Sequence, residues 1–279
     1  MGSLKLKELF FLLGLKPRPR TYGFVVESHE LPTDGQIDVA QWQHQSAYRA
    51  APAQFAVDQL RQFIGPGDVA IDIGAHTGDT TIPMALAAGP SGVVLAFEPN
   101  RHVFVVLAKN ATLNRAKTNI VALPFAAMRT DGEFEFQYGE AGFNNGGFHE
   151  GMSRWQHGSA YPLEVQGRNL QELLEREYPE LIARIRFLKV DAEGFDLAIL
   201  KTLEGLLRAR RPYLQVEMFD LKKSDPAERL RLYNFLVALG YRVHRVEDDG
   251  RLIGELITLE NLMTWRGYDV CCVPTGGGE

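Results

Sequence analysis

The chain has 279 residues, with 45% apolar and 23% charged side chains. That composition excludes a disordered or fibrous protein, and the length suits one large α/β domain with insertions. Thirty Lys and Arg against 35 Asp and Glu leave a net charge of −5, so overall charge gives no case for nucleic-acid or anionic-membrane binding. The two cysteines are adjacent, Cys271 and Cys272, and cannot staple a fold. A reducing, cytoplasmic setting is the expectation.

No apolar run approaches the roughly 18 residues of a membrane helix. Residues 4–15 place Leu6, Leu9, Phe10 and Leu13 at i, i+3, i+4 and i+7, which predicts an amphipathic helix. Its apolar stripe suits docking on the protein's own core or on the mate of a homodimer. Lys16 to Arg20, with two prolines, stands where a leader would need small residues for cleavage, so none is expected. Residues 21–48 read as strand, turn and strand: Phe24 to Val26, Pro32 to Gly35, and Ile37 to Trp42. Residues 1–50 thus form a helix-plus-hairpin extension to a domain spanning 51–279.

A helix is predicted after Pro52, carrying Phe55, Leu60, Phe63 and Ile64, before Gly65-Pro66-Gly67-Asp68. From Val69 the rhythm alternates. Strands are predicted at Val69 to Ile73, Val93 to Phe97, Ile120 to Leu123, Ile185 to Val190, Tyr213 to Glu217, Tyr241 to Val246 and Tyr268 to Val273. Helices are predicted at Thr80 to Ala88, Asn100 to Asn114, Phe195 to Arg208 and Pro226 to Leu239. Apolar strands alternating with helices indicate a doubly wound, mostly parallel sheet of Rossmann-like type. About twenty residues without a clear crossover helix join the last two strands, which allows one to run antiparallel. The stretch 130–166 interrupts the rhythm. Phe134 to Phe136 and Leu163 to Val165 look like two strands around a Gly/Asn-rich loop, a candidate substrate lid.

The chemistry begins at Asp72-Ile73-Gly74-Ala75-His76-Thr77-Gly78, between a strand and a helix. Glycines there let the backbone turn sharply and approach a ligand. Glu98 closes the next strand and can accept both hydroxyls of a ribose. The spacing lacks the G-x-G-x-x-G of a dinucleotide site, because His76 and Asp79 occupy its second and third glycine places. There is no P-loop. A nucleoside ligand without phosphates, S-adenosylmethionine, fits this turn better than a nicotinamide dinucleotide.

Val69 to Gly78, Phe97-Glu98-Pro99, Asn110, Asn114, Phe187 to Gly194 and Glu217 occur in order. Together they resemble the FkbM family of class I S-adenosylmethionine methyltransferases, over roughly residues 69–220. His76 stands where the family usually has Asn, and Asp196 where its Asp-x-Glu-Gly-x-Glu motif often ends in Glu. The resemblance implies methyl transfer to a hydroxyl of a sugar or secondary metabolite, with S-adenosylmethionine as cofactor. It implies Asp72, Gly74, Ala75, His76, Thr77 and Gly78 along the methionine part. Glu98 would lie on the ribose, and Phe125, Ala126 and Ala127 beside the adenine. Asp191 and Glu193 would face the transferred methyl. A hydroxyl acceptor needs a general base, for which Asp191, Glu193, His149 and Glu217 are candidates. Asp-x-Glu without a third ligand is a weak metal signal, and no metal is expected. A nicotinamide-dependent oxidoreductase and a non-catalytic binding subunit on the same fold are the rival readings. A small-molecule or glycan acceptor is the expected partner.

Overall fold

The computed structural model describes residues 18–45, 47, 51–139, 141–143, 146–147, 161–192, 194–218 and 226–276. The helix expected at residues 4–15 lies outside them, as does most of the Gly/Asn-rich loop.

The main sheet is built from apolar runs too hydrophobic to leave either face in water. Its strands are β3 (Val69–Ile73), β4 (Val93–Phe97), β5 (Ile120–Leu123), β10 (Ile185–Val190), β11 (Tyr213–Met218), β12 (Tyr241–Arg245) and β13 (Tyr268–Pro274), in the order β12-β13-β11-β10-β3-β4-β5. The pairs β3/β4, β4/β5, β3/β10 and β10/β11 are parallel. β13 runs antiparallel to both its neighbours, β11 and β12. The link from β12 to β13 lacks a crossover helix, so the chain returns as an antiparallel strand.

Helices cover both faces. α2 (Thr81–Ala88) lays Met84, Ala85 and Ala88 against Ala70, Val94, Phe187 and Cys271. The other face carries Ile71, Leu95, Leu188 and Leu214. It is packed by α4 (Leu170–Glu177), α6 (Asp196–Thr202), α7 (Glu204–Arg210) and α8 (Pro226–Ala238) through Leu174, Leu200, Leu207 and Leu236. α1 (Gln54–Leu60), α3 (Arg101–Asn110) and the four-residue α5 (Pro179–Ile182) complete the helices among the described residues.

Four expectations are corrected. The helix after Pro52 ends at Leu60, and Phe63 and Ile64 lie in the turns beyond it. The helix of residues 100–114 is shorter, because Asn100 caps it from outside and it ends at Asn110, four residues before Asn114 with its left-handed φ of 57°. The single helix expected from Phe195 to Arg208 is two, α6 and α7, broken at the buried Leu203, whose N–H bonds back only three residues to Leu200 O. Residues 167–184, given no helix from sequence, hold α4 and α5. Asn169 caps α4 by accepting from Glu172 N–H at 3.2 Å, and Leu170, Leu173 and Leu174 form its buried stripe.

The hairpin of β1 (Phe24–Leu31) and β2 (Gly35–Trp42) is docked on the helices. Leu31, Ile37 and Val39 pack with Val57, Ile82 and Leu86. Two asparagine amides bind β2 as a neighbouring strand would. Asn110 Oδ1 accepts from Ala40 N–H at 2.7 Å, and its Nδ2 donates to Ala40 O at 3.1 Å. Asn114 makes the same pair with Asp38 at 2.9 and 2.8 Å. The buried backbone of β2 is thereby satisfied without another strand.

The stretch after β5 forms a second sheet. β6 (Ala126–Met128), β7 (Gly132–Tyr138), β8 (Gly146–Gly147) and β9 (Tyr161–Asn169) lie in the order β6-β9-β7-β8. The two strands expected here pair antiparallel from Gly132↔Gly167 to Tyr138↔Tyr161. Their inner face buries Met128, Phe136, Tyr138, Phe143, Leu163 and Val165.

Candidate functional site

The strand order reverses at β3. The chain runs outward through β4 and β5, then resumes at β10 on the other side of β3. In open parallel sheets, ligands bind beyond the carboxyl ends at such a switch point. Here that place is lined by Asp72 to Gly78 from β3, Glu98 from β4, and Lys189 and Asp191 from β10.

Asp72 is fully buried. Its Oδ2 accepts from the Thr81 hydroxyl at 2.6 Å and the Thr80 hydroxyl at 3.0 Å. Its Oδ1 has no hydrogen bond and faces the Lys189 ammonium at 3.6 Å. Lys189 also donates to Asp191 Oδ2 at 3.1 Å. Burial pushes Asp72 up, and Lys189 with the two hydroxyls opposes that rise. Burial works against charge on Lys189, but Asp72 and Asp191 outweigh it and hold the ammonium above the ordinary lysine range. Lys189 thus joins Asp191 and Asp72 in a triad, with Asp72 its buried member. Side-chain exposure grades it from 0% at Asp72 and 6% at Lys189 to 44% at Asp191, so only Asp191 reaches solvent.

The glycine turn is fixed by its surroundings. A Cβ on Gly74, at φ 78°, would lie 2.0 Å from the Asp191 carbonyl oxygen. The end of β10 thus demands glycine there whether or not a ligand approaches. Gly74 and Ala75 N–H donate to Phe97 O, and Asn110 Nδ2 donates to Thr77 O at 2.8 Å. His76 takes φ 49°, a region Asn and His tolerate better than most residues, so one can replace the other in this turn. Its ring meets Trp42 of the hairpin edge-on at 5.8 Å.

Glu98 is buried and held by two backbone donors. His76 N–H donates to Oε2 at 2.9 Å and Asn100 N–H to Oε1 at 2.7 Å. Burial pushes its carboxyl up to about 7, against the pull of those two bonds. Each oxygen retains a second lone pair, so the group can accept two further bonds from a ligand.

Phe125 follows β5, with the Arg168 guanidinium 5.0 Å over its ring. Ala126 opens β6 and is buried, as is Ala127. Glu193 and His149 lie outside the described residues. Glu217, one residue before the end of β11, stands opposite Asp269 in the β11/β13 register.

Sequence reasoning missed several residues of this edge. Asp196, noted only as a departure from a motif, is buried and ties the turn after β10, accepting from Ala192 N–H at 3.0 Å and Gly194 N–H at 3.1 Å. Burial pushes it up to about 7. Its two bonds pin the turn from β10 into α6. Asp269 accepts from Gln215 Nε2 at 2.9 Å and is pushed up by burial and by Asp191. No spacing in the sequence links it to β10. Among the described residues no group of three or more His, Cys, Asp or Glu could hold a metal ion, and no helix is long and apolar enough to cross a membrane.

The methyltransferase FkbM domain family matches residues 72–243. Methyltransferase sdnD of Sordaria araneosa is 27% identical over 155 residues, covering 48% of this chain and 60% of that protein. The chain therefore spans about three fifths of that curated relative. Among solved structures, methyltransferase FkbM from Methylobacillus flagellatus is similar at 14% identity and TM-score 0.45, covering 78% of this chain and 51% of that one. An S-adenosylmethionine-dependent O-methyltransferase from Thermotoga maritima is similar at 11% identity and TM-score 0.44, covering 91% and 79%.

Proposed function

The chain belongs to the FkbM methyltransferase family, and from that premise we propose that it transfers a methyl group from S-adenosylmethionine to a hydroxyl oxygen of a sugar or secondary metabolite. One observation carries the cofactor reading. Glu98 is a buried carboxylate at the switch point, fixed by two N–H donors and still able to accept two ribose hydroxyls. The donor set fits this cofactor, because the edge is lined by carboxylates and the buried cation Lys189 is already shared by Asp72 and Asp191. The turn lacks the glycines that let a backbone cradle a pyrophosphate, with His76 and Asp79 in their places, which disfavours a nicotinamide dinucleotide.

The cofactor supplies an electrophilic methyl group on a sulfonium. The chain's task is then alignment and proton removal. Asp72 and Lys189 give a rigid charged floor beneath the methionine part. Phe125 and Ala126 wall the adenine side. Asp191 is the solvent-reaching member of the triad, and the Lys189 bond uses only its Oδ2. Its role in this reading is to orient the acceptor hydroxyl and take its proton, with Glu193 and His149 as the next candidates.

Calorimetry with S-adenosylhomocysteine and with NAD tests the cofactor, and mass spectrometry across hydroxylated sugars and metabolites seeks a product heavier by one CH₂. Asp191→Asn should lower kcat by about 10²–10⁴ while S-adenosylhomocysteine affinity holds. Binding of NAD without S-adenosylhomocysteine would overturn the reading.

A further inference from the structure

Among the described residues, the insertion reaches the cofactor edge at Phe143. It is 4% exposed and has φ 57°, a left-handed conformation that a bulky aromatic residue adopts only when its surroundings impose it. Three contacts impose it. Its ring stacks on His102 with centroids 4.3 Å apart and planes 12° from parallel. Its carbonyl accepts from Asn100 Nδ2 at 2.7 Å. The preceding Gly142 lies so close to the hairpin that a Cβ there would be 2.0 Å from His44 Nε2. Arg20 N–H adds a backbone bond to Ala141 O at 2.8 Å.

Asn100 is the other half of the contact. It is 2% exposed, and each of its polar groups is committed. Its N–H donates to Glu98 Oε1, its Oδ1 accepts from His102 N–H to cap α3, and its Nδ2 holds Phe143 O. Its carbonyl accepts from Val103 and Phe104 N–H. A displacement of Phe143 leaves a buried amide donor unsatisfied beside Glu98, and the residue must shift to satisfy it.

We propose that Asn100 and Phe143 are positioning residues that make the grip of Glu98 on the cofactor depend on the insertion and, through Gly142 and His44, on the N-terminal hairpin. Neither residue is the ligand-contacting group; both act through the Glu98 carboxylate. The N-terminal segment and Phe143 meet at Gly142 and His44, so the cofactor edge is braced by segments distant in sequence. This inference rests on the cofactor reading above.

The test is S-adenosylhomocysteine binding by calorimetry, with thermal unfolding alongside. Asn100→Asp keeps the cap and the N–H but removes the amide donor. Phe143→Pro fixes φ near −65° and so forbids the observed conformation. Each should weaken binding about tenfold, the equivalent of one hydrogen bond of about 1.4 kcal/mol. The double variant should also lose about tenfold, not a hundredfold, because both changes break one link. Phe143→Tyr keeps the ring and should bind as wild type. Should Asn100→Asp fail to fold, Phe143→Pro, outside both sheets, reads the same link. Wild-type affinity within twofold in Asn100→Asp and Phe143→Pro overturns the coupling while leaving the cofactor reading in place. Absence of binding in the wild-type protein overturns both.

Discussion

The two ends of the main sheet are built with opposite chemistry. At the amino end, arginines reach across to backbone carbonyls. Arg184 donates to Gly67 O and Ser91 O ahead of β3 and β4, Arg210 to Ala183 O ahead of β10, and Arg211 to Gly240 O and Thr275 O beside β12 and β13. Each joins loops of different strands while its guanidinium keeps contact with water. At the carboxyl end buried acids gather, Asp72, Glu98 and Asp196 with half-buried Asp269 beside them, together with two buried cations, Lys189 and Arg229. The first end spends charge on tethering. The second keeps carboxylates where burial pushes them toward neutrality, an arrangement that gives little stability and is characteristic of sites that bind or react.

That contrast is broken most severely at Lys189. Lys189→Met removes the cation that faces the fully buried Asp72 and strands its carboxylate. Chemical denaturation should show a loss of about 3–5 kcal/mol, the usual consequence of removing one partner of a buried pair. Asp72→Asn in the same chain should recover most of it. A Lys189→Met protein as stable as wild type would mean that Asp72 is protonated and the triad is not ionic.

Next in size is a paired measurement at the two ends. Glu98→Ala should weaken S-adenosylhomocysteine binding by up to about 1.5–3 kcal/mol per charged bond, and should also lower the melting temperature, because the His76 and Asn100 N–H groups lose their acceptor. Arg184→Ala, at the other end, should lower stability by about 1–2 kcal/mol and leave that affinity unchanged. The reverse outcome, an affinity loss from Arg184→Ala with Glu98→Ala silent, would abolish the division of labour.

Sequence reading captured these ends unequally. The strands were legible because β3, β4 and β10 are apolar on both faces and stop at Gly or an acid. The acids at the switch point were legible for the same reason. What escaped is long-range. Asn110 and Asn114 stood out only as part of a resemblance. Their work, pairing with Ala40 and Asp38 across 70 and 76 residues, leaves no periodic trace. Asp196, Asn100 and Phe143 escaped likewise, since a buried polar side chain is recognised by partners that only the fold brings near. α4 is the exception. Asn169-x-x-Glu172 with Leu170, Leu173 and Leu174 is a visible helix start, hidden because the stretch before it reads as an interruption. Gly74 was found for one reason and is required for another: the Asp191 carbonyl occupies its Cβ position, so a bulky variant there tests the sheet before it tests the ligand.

The smallest expected effect is a pH dependence. Glu98 is pushed by burial from the ordinary carboxylate range up to about 7. Between those values the folded chain holds a proton at this position that the unfolded chain has released. Stability is then greatest below the unfolded value and falls as pH rises toward 7, by at most about 1.4 kcal/mol per pH unit. Asp196, also pushed to about 7, acts in the same direction, as do Asp72 and Asp269, which burial pushes up, so the slope belongs to all four groups. Cofactor binding runs the other way. Ribose hydroxyls donating to Glu98 favour its ionised form, so S-adenosylhomocysteine affinity should rise with pH, by at most tenfold per unit, and level off above 7. Thermal melts from pH 5 to 8, with and without ligand, read both trends. Glu98→Gln should reduce the unliganded slope to the share of the other buried acids and remove the pH dependence of binding assigned to Glu98. An unliganded melting temperature that instead climbs steadily from pH 5 to 8 in the wild type, and equally in Glu98→Gln, would show that Glu98 is ionised throughout and that its two backbone donors outweigh its burial.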